Sequence, residues 1–198
     1  MTLTIDQLNL QQERPSSETL LALLVRLEKE AKRERRVYPF ESLLGEWRLT
    51  FITGTKKAQK QAGNVLGKGR YLPGWVKISI LYEALSEQEQ IAESAWQRGT
   101  VVNTVGLGLL KLAVSGGIKF QAQKRLLAFD FTQLNVRVAG AQFYNGSMRG
   151  GMAAAQKFYE TPISELPFFS YFYVGETAIA ARGKGGGIAL WTKTSTKV

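Results

Sequence analysis

The chain has 198 residues, 44% of them hydrophobic, and a formal net charge of +10 with neither histidine nor cysteine. That length suits one domain with an appendage, and no stretch reaches the roughly 18 to 20 continuous apolar residues of a bilayer-crossing helix. Without Cys and His, the sequence excludes thiolate nucleophiles, structural zinc of the usual kind, the ordinary imidazole base and haem ligation by either side chain.

The first residues show no basic head followed by an apolar run, and Asp6, Glu13 and Glu18 are unlike an acid-poor leader, so neither signal nor transit peptide is expected. Residues 17–36 predict an amphipathic helix: Leu20, Leu24, Leu27 and Ala31 follow the 3.6-residue period. Ser17 can cap its start, Glu18 suits the positive end of the dipole and the basic run KEAKRERR suits the negative end. Such a stripe predicts a helix packed on the outside of the later domain. Pro39 marks the hand-over, dividing the chain into an N-terminal tail and helix (1–39) and a second domain (40–198).

From Gly45 the period becomes two. EWRLTFI sets Trp47, Leu49 and Phe51 on one face against Arg48, Thr50 and Ile52. Further strands are expected at 75–82, 91–97, 99–105, 109–114, 118–123, 126–132, 134–140, 168–174, 177–183 and 187–193. Few intervals could hold a crossover helix, so the sheet should be antiparallel, and closure would hide its edges. The expected fold is mainly β: a closed antiparallel lipocalin-like barrel with the N-terminal helix outside. A barrel of about eight strands has room for one small ligand. The candidate ligand-lining residues are Trp47, Leu49, Phe51, Ile78, Ile80, Phe129, Phe131, Tyr171, Tyr173 and Trp191. Aromatic rings on both faces of the last strands predict burial on both, inside the barrel and outside against the helix.

Residues 55–74 and 145–167 read as connections long enough to be functional. Lys184 to Gly187 reads as a hairpin turn. Up to Glu46 there are seven Lys/Arg against eight Asp/Glu, so the basic excess belongs to the later domain. Between Glu46 and Glu83 stand seven cations and no acid; Lys56, Lys57, Lys60, Lys68 and Arg70 fall in one loop ahead of Tyr71, Leu72 and Trp75. This mixture predicts a peripheral contact with an anionic membrane surface.

Enzymatic chemistry finds little support. GNVLGKG at 63–69 lacks the spacing and the Ser or Thr of a phosphate-binding loop. Asp130 lies within a strand pattern where a solvent-facing or structural role is the ordinary one, and no serine has a nucleophile context. No catalytic residue, metal or cofactor is expected, nor is nucleic acid, since no recognition motif accompanies the basic surface.

Gly45 and Trp47 form the G-x-W that opens lipocalin-type barrels. Together with LLGEWRLTFITGTKK, AGNVLGKGRYLP followed by WVKI, LAFDFTQLNVRV and FFSYFYVGETAIAARGKGGGIALW, it resembles the plastid lipid-associated protein or fibrillin family, especially its cyanobacterial members, over residues 40–193. The resemblance implies a barrel associated with carotenoids, quinones and other prenyl or acyl lipids at thylakoids or lipid bodies, with a photoprotective or lipid-organising role. It also implies a structural pair, Gly45 at the first strand and Arg182 against the Trp47 indole. Where plant members show an acidic pair before the penultimate strand, this chain has Gly175 and Glu176. The expected function is binding of a lipophilic small molecule by a non-enzymatic protein in the cytoplasm or on the cytoplasmic side of the thylakoid membrane. The alternative is a scaffold whose filled barrel engages a protein partner in a lipid or isoprenoid pathway.

Overall fold

The computed structural model describes residue 5 and residues 14–54, 69–86, 96–148 and 150–194, with Met152 described by its backbone alone. Helix α1 spans Ser17–Arg33 and buries Leu20, Leu24, Leu27 and Ala31, the four positions its periodicity marks. The cap is Ser16, whose Oγ accepts from the Thr19 amide at 3.1 Å. Ser17, expected as the cap, is already the first helical residue.

Among the described residues eleven strands follow: β1 (Gly45–Ile52), β2 (Arg70–Tyr71), β3 (Val76–Ala84), β4 (Gln97–Leu107), β5 (Leu110–Gln121), β6 (Leu126–Phe129), β7 (Gln133–Val138), β8 (Ala141–Ser147), β9 (Phe168–Val174), β10 (Ala178–Gly183) and β11 (Ile188–Lys193). A short helix, α2 (Gly151–Phe158), separates β8 from β9. All pairings are antiparallel. Eight strands close a barrel in the order β1-β3-β4-β5-β6-β9-β10-β11, and β11 returns to β1 with Lys193 opposite Trp47. Most of the strand expected at 91–97 lies outside the described residues.

Two strands expected at 109–114 and 118–123 are one continuous β5, while the strand expected at 126–132 ends at Phe129. This β6 stays in the barrel against β9, and β7, the strand expected at 134–140, turns away to pair with β8. The seam lies at Gly116, where an added Cβ would stand 1.9 Å from the Asp130 carbonyl oxygen. Only glycine lets the Asp130–Thr132 backbone cross so closely. Beyond this seam the far halves of β3, β4 and β5 join β7 and β8 in an open five-stranded wing.

Inside the ring, Trp47, Tyr82, Val101, Ile118, Phe120, Leu127, Tyr171, Ile179 and Trp191 form one buried cluster. Outside it, α1 lies on Phe51, Phe172, Tyr173, Ala178, Ala180, Ile188 and Leu190. The final strands are thus buried on both faces, as their rings predict. Strict alternation would place Phe51 with Trp47, and Tyr173 with Tyr171. One extra residue between Leu49 and Phe51 in β1, and another in β9 opposite the Ala180/Ala181 step, shift both registers. Such bulges reverse the facing of the residues beyond them, so Phe51 and Tyr173 serve the helix interface.

Candidate functional site: the barrel mouth and its wing

The closed part of the ring is built from side chains that satisfy one another. The Trp47 indole donates to the Leu43 carbonyl at 2.8 Å, held there by the short turn Phe40–Leu43 that follows Pro39. Tyr38 donates to the Phe172 carbonyl at 2.7 Å, and the Tyr82 and Tyr171 hydroxyls meet at 2.9 Å, both fully buried. Burial pushes both phenols above the usual tyrosine range. Phe169 stacks edge-on to Trp191 at 5.3 Å and lies parallel to Phe129 at 5.1 Å, carrying the aromatic lining toward the mouth.

Arg182 does not lie against Trp47. Its neighbour Ala181 faces the interior, so Arg182 faces outward, where its guanidinium makes a bidentate ion pair with Glu28 of α1 and also donates to the Gly186 carbonyl. The hydrogen bonds to Glu28 hold its pKa above the ordinary arginine value. The cation over the Trp47 ring is Lys193, with Nζ 5.2 Å from the centroid. Gly45 opens β1 at φ 107°, the left-handed side of backbone space that favours glycine.

Above the closed part, cross-strand registers align three rows across the wing. Val76, Leu107, Leu110 and Val138 form the outermost; Ile78, Val105, Leu112, Val136 and Tyr144 the middle; Ile80, Asn103, Val114, Leu134 and Gly146 the innermost. The next row down contains Tyr82 and Val101 of the buried cluster, so this face is the barrel interior continued outward. Unlike the buried cluster, Ile78, Val105, Leu112, Val114, Leu134 and Val136 are half-buried, forming an apolar trough.

The opposite face of the wing is polar. Arg48, Lys77, Ser79, Thr104 and Lys111, with Glu46, line an open groove of about 450 Å³ that Ile78 and Leu110 of the apolar rows also border, and Arg137 stands exposed opposite the β8 bulge. At the distal edge, large apolar side chains meet solvent: Trp75 is 71% exposed, Leu109 75% and Phe143 81%. Leu107, Val138 and Tyr144 join them. One end of the molecule therefore combines an apolar trough, a cationic back and projecting rings.

Of the ten expected ligand-lining residues, Trp47, Ile80, Tyr171 and Trp191 lie in the interior cluster, and Leu49, Phe129 and Phe131 pack partly buried against it. Ile78 lies in the trough, while Phe51 and Tyr173 lie outside the ring. Lys56, Lys57, Lys60 and Lys68 fall outside the described residues, and Arg70 is exposed on β2. Asp130 accepts from the adjacent Phe131 amide through Oδ1 at 2.9 Å, a local backbone role.

Residues that sequence reasoning missed include Asn103, the one carboxamide in the wing rows, and Lys119. Buried on the outer face, Lys119 donates to the carbonyls of Phe158, Tyr159 and Thr161 at 3.2, 3.2 and 2.7 Å, binding the end of α2 to β5. Burial, aided by the nearby Arg98 charge, pushes its pKa down. Asn103 left a readable signal, an amide within the apolar alternation VVNTV; Lys119 left none. Among the described residues no three His, Cys, Asp or Glu side chains converge as a metal site would require, and no helix is long and apolar enough to cross a membrane. Searches against protein-family models, curated proteins and solved structures find no match to the chain.

Proposed function

We propose that the protein binds a lipophilic small molecule in the wing trough and exchanges it with a lipid surface, without catalysis. The observation that carries this reading is the continuity of the apolar barrel interior with a half-buried wing face that ends among exposed Trp75, Leu109 and Phe143. A monomeric soluble domain rarely leaves so contiguous an apolar surface without a use. Rings at the edge with cations behind them suit the headgroup boundary of an anionic membrane. On this reading the protein is peripheral to such a membrane, and the resemblance to plastid lipid-associated proteins makes thylakoid-type membranes and prenyl or acyl lipids the first choices.

Retinol, a fluorescent polyene, serves as the probe. The reading expects saturable fluorescence enhancement near one probe per chain, abolished by Leu112→Asp with Leu134→Asp while the circular dichroism of the barrel is kept. Unsaturable binding, or binding indifferent to these charges, overturns it. In a second arm, Leu109→Asp with Phe143→Asp should reduce sedimentation with anionic vesicles by tenfold or more, and unchanged sedimentation removes the membrane half of the proposal.

A second reading, a scaffold for a protein partner, draws on β8. Among the described residues its outer edge pairs with no strand, which offers a partner a place to add one. Probe binding in the trough that survives a proline at Gln142 while partner capture is lost would separate the two uses.

A further inference from the structure

We infer that Asn103 is the polar anchor of the trough and that the molecule it receives carries a hydroxyl group at one end of an elongated apolar body. The inference rests on the trough being the binding site and adds the chemistry of its occupant.

Asn103 stands in the innermost wing row, with Ile80 opposite it on β3 and Val114 opposite it on β5. At the other positions sharing its face, from Val76 to Ile80, Val101 to Leu107, Leu110 to Val114 and Leu134 to Val138, every residue is Val, Ile or Leu. One carboxamide therefore interrupts a surface that, apart from the Tyr144 phenol on β8, is hydrocarbon, at the level where the closed cluster ends and the open trough begins.

Its Oδ1 is buried and accepts no hydrogen bond. An orphaned buried acceptor costs about 1 to 3 kcal/mol, so a leucine or valine there would serve folding better. A ligand hydroxyl removes the conflict once the carboxamide, whose oxygen solvent does not reach in this structure, turns into the trough, because it can donate to the amide oxygen and accept from the amide nitrogen. The remaining positions ask only for apolar contact along the rows toward the distal edge. An ether, ester or hydrocarbon of the same length has no proton to donate and leaves Oδ1 as it stands.

Geranylgeraniol and its methyl ether form a probe pair that differs at this point. The native chain is expected to bind the alcohol about tenfold more tightly, the factor that corresponds to about 1.4 kcal/mol from one buried hydrogen bond. Asn103→Leu should bring the ratio to about one through loss of alcohol affinity, keep the ether, and raise the melting temperature by removing the orphaned oxygen. Asn103→Val provides the same loss if the leucine does not fit. Equal binding of the two probes by the native chain, or a preference that survives in both variants, overturns the assignment of Asn103 alone. If the native chain binds neither probe, the trough itself is not a binding site, and both readings fall.

Discussion

The closed ring and the open wing are made of the same material, alternating strands rich in Val, Ile and Leu, yet they treat it differently. In the ring every apolar row meets another across the barrel, and residues such as Ile118, Leu127 and Ile179 reach zero exposure. In the wing the same alternation continues in β3, β4, β5 and β7, but among the described residues no facing strand closes over it, and the side chains stay half-exposed. The difference comes from a backbone decision at Gly116 and Asp130, where β7 leaves the path that β6 keeps. Apolar patterning thus specifies a buried face without specifying what buries it. In the ring the protein supplies the cover; on the proposed reading of the wing, a ligand does.

The comparison is tested most strongly by one chemical change made in both places. Leu127→Ala removes a fully buried side chain and should cost about 2 to 5 kcal/mol in urea unfolding, cavity included. Leu112→Ala, in the wing, should cost about 1 to 2 kcal/mol, since Leu112 is only partly buried. Equal losses would mean that the wing is covered as tightly as the ring. The tyrosine pair gives a second contrast. Tyr82 and Tyr171 are held neutral by burial, whereas the unfolded chain ionises its phenols near the ordinary value of about 10. Above that pH the unfolded state binds fewer protons than the folded state, so these two groups should lower stability as pH rises and have no such effect below it. Absorbance at the tyrosinate band should show Tyr82 and Tyr171 ionising only on unfolding. The smallest effect concerns the outer layer. A double-mutant cycle of Glu28→Gln and Arg182→Met should give a coupling of about 0.5 to 1 kcal/mol, modest because the pair is partly exposed. A coupling near zero would leave α1 held by its apolar stripe and by Arg125, which donates to the Ala31 carbonyl at 3.0 Å.

Much of the ring was legible in the sequence because its signals are local. Trp47, Leu49 and the last three strand patterns announce their period in a few residues, and Leu20, Leu24, Leu27 and Ala31 announce the helix face. What escaped depended on a single backbone register. The bulges that send Phe51 and Tyr173 outward leave no composition mark, since an aromatic residue suits either side of a strand buried on both. Strand β8 was overlooked because AQFYNGS is short and polar, and it acquires its strand from pairing with β7. The outward facing of Arg182 follows from its position beside Ala181, yet its partner Glu28 lies 154 residues away and could not be read from local pattern. Within the candidate site, the apolar rows were visible as strands, whereas their alignment into a trough required the pairings of five strands at once.

The pairing that closes the barrel also orders its assembly in time. The strands β3, β4 and β5 pair with sequence neighbours, β4 and β5 through residues 108 and 109 alone, so their loops close at little entropic cost compared with the ring. The ring is complete only when β11 reaches β1 from the far end of the chain. Helix α1, made before the strands, must wait still longer for a seat, because most of that seat belongs to β9, β10 and β11. A nascent chain therefore displays its apolar meander before it owns a barrel, and an amphipathic helix before it has a place to dock. Any delay in translating β9 to β11 would prolong that state, when exposed sheet edges and apolar faces are most prone to aggregate.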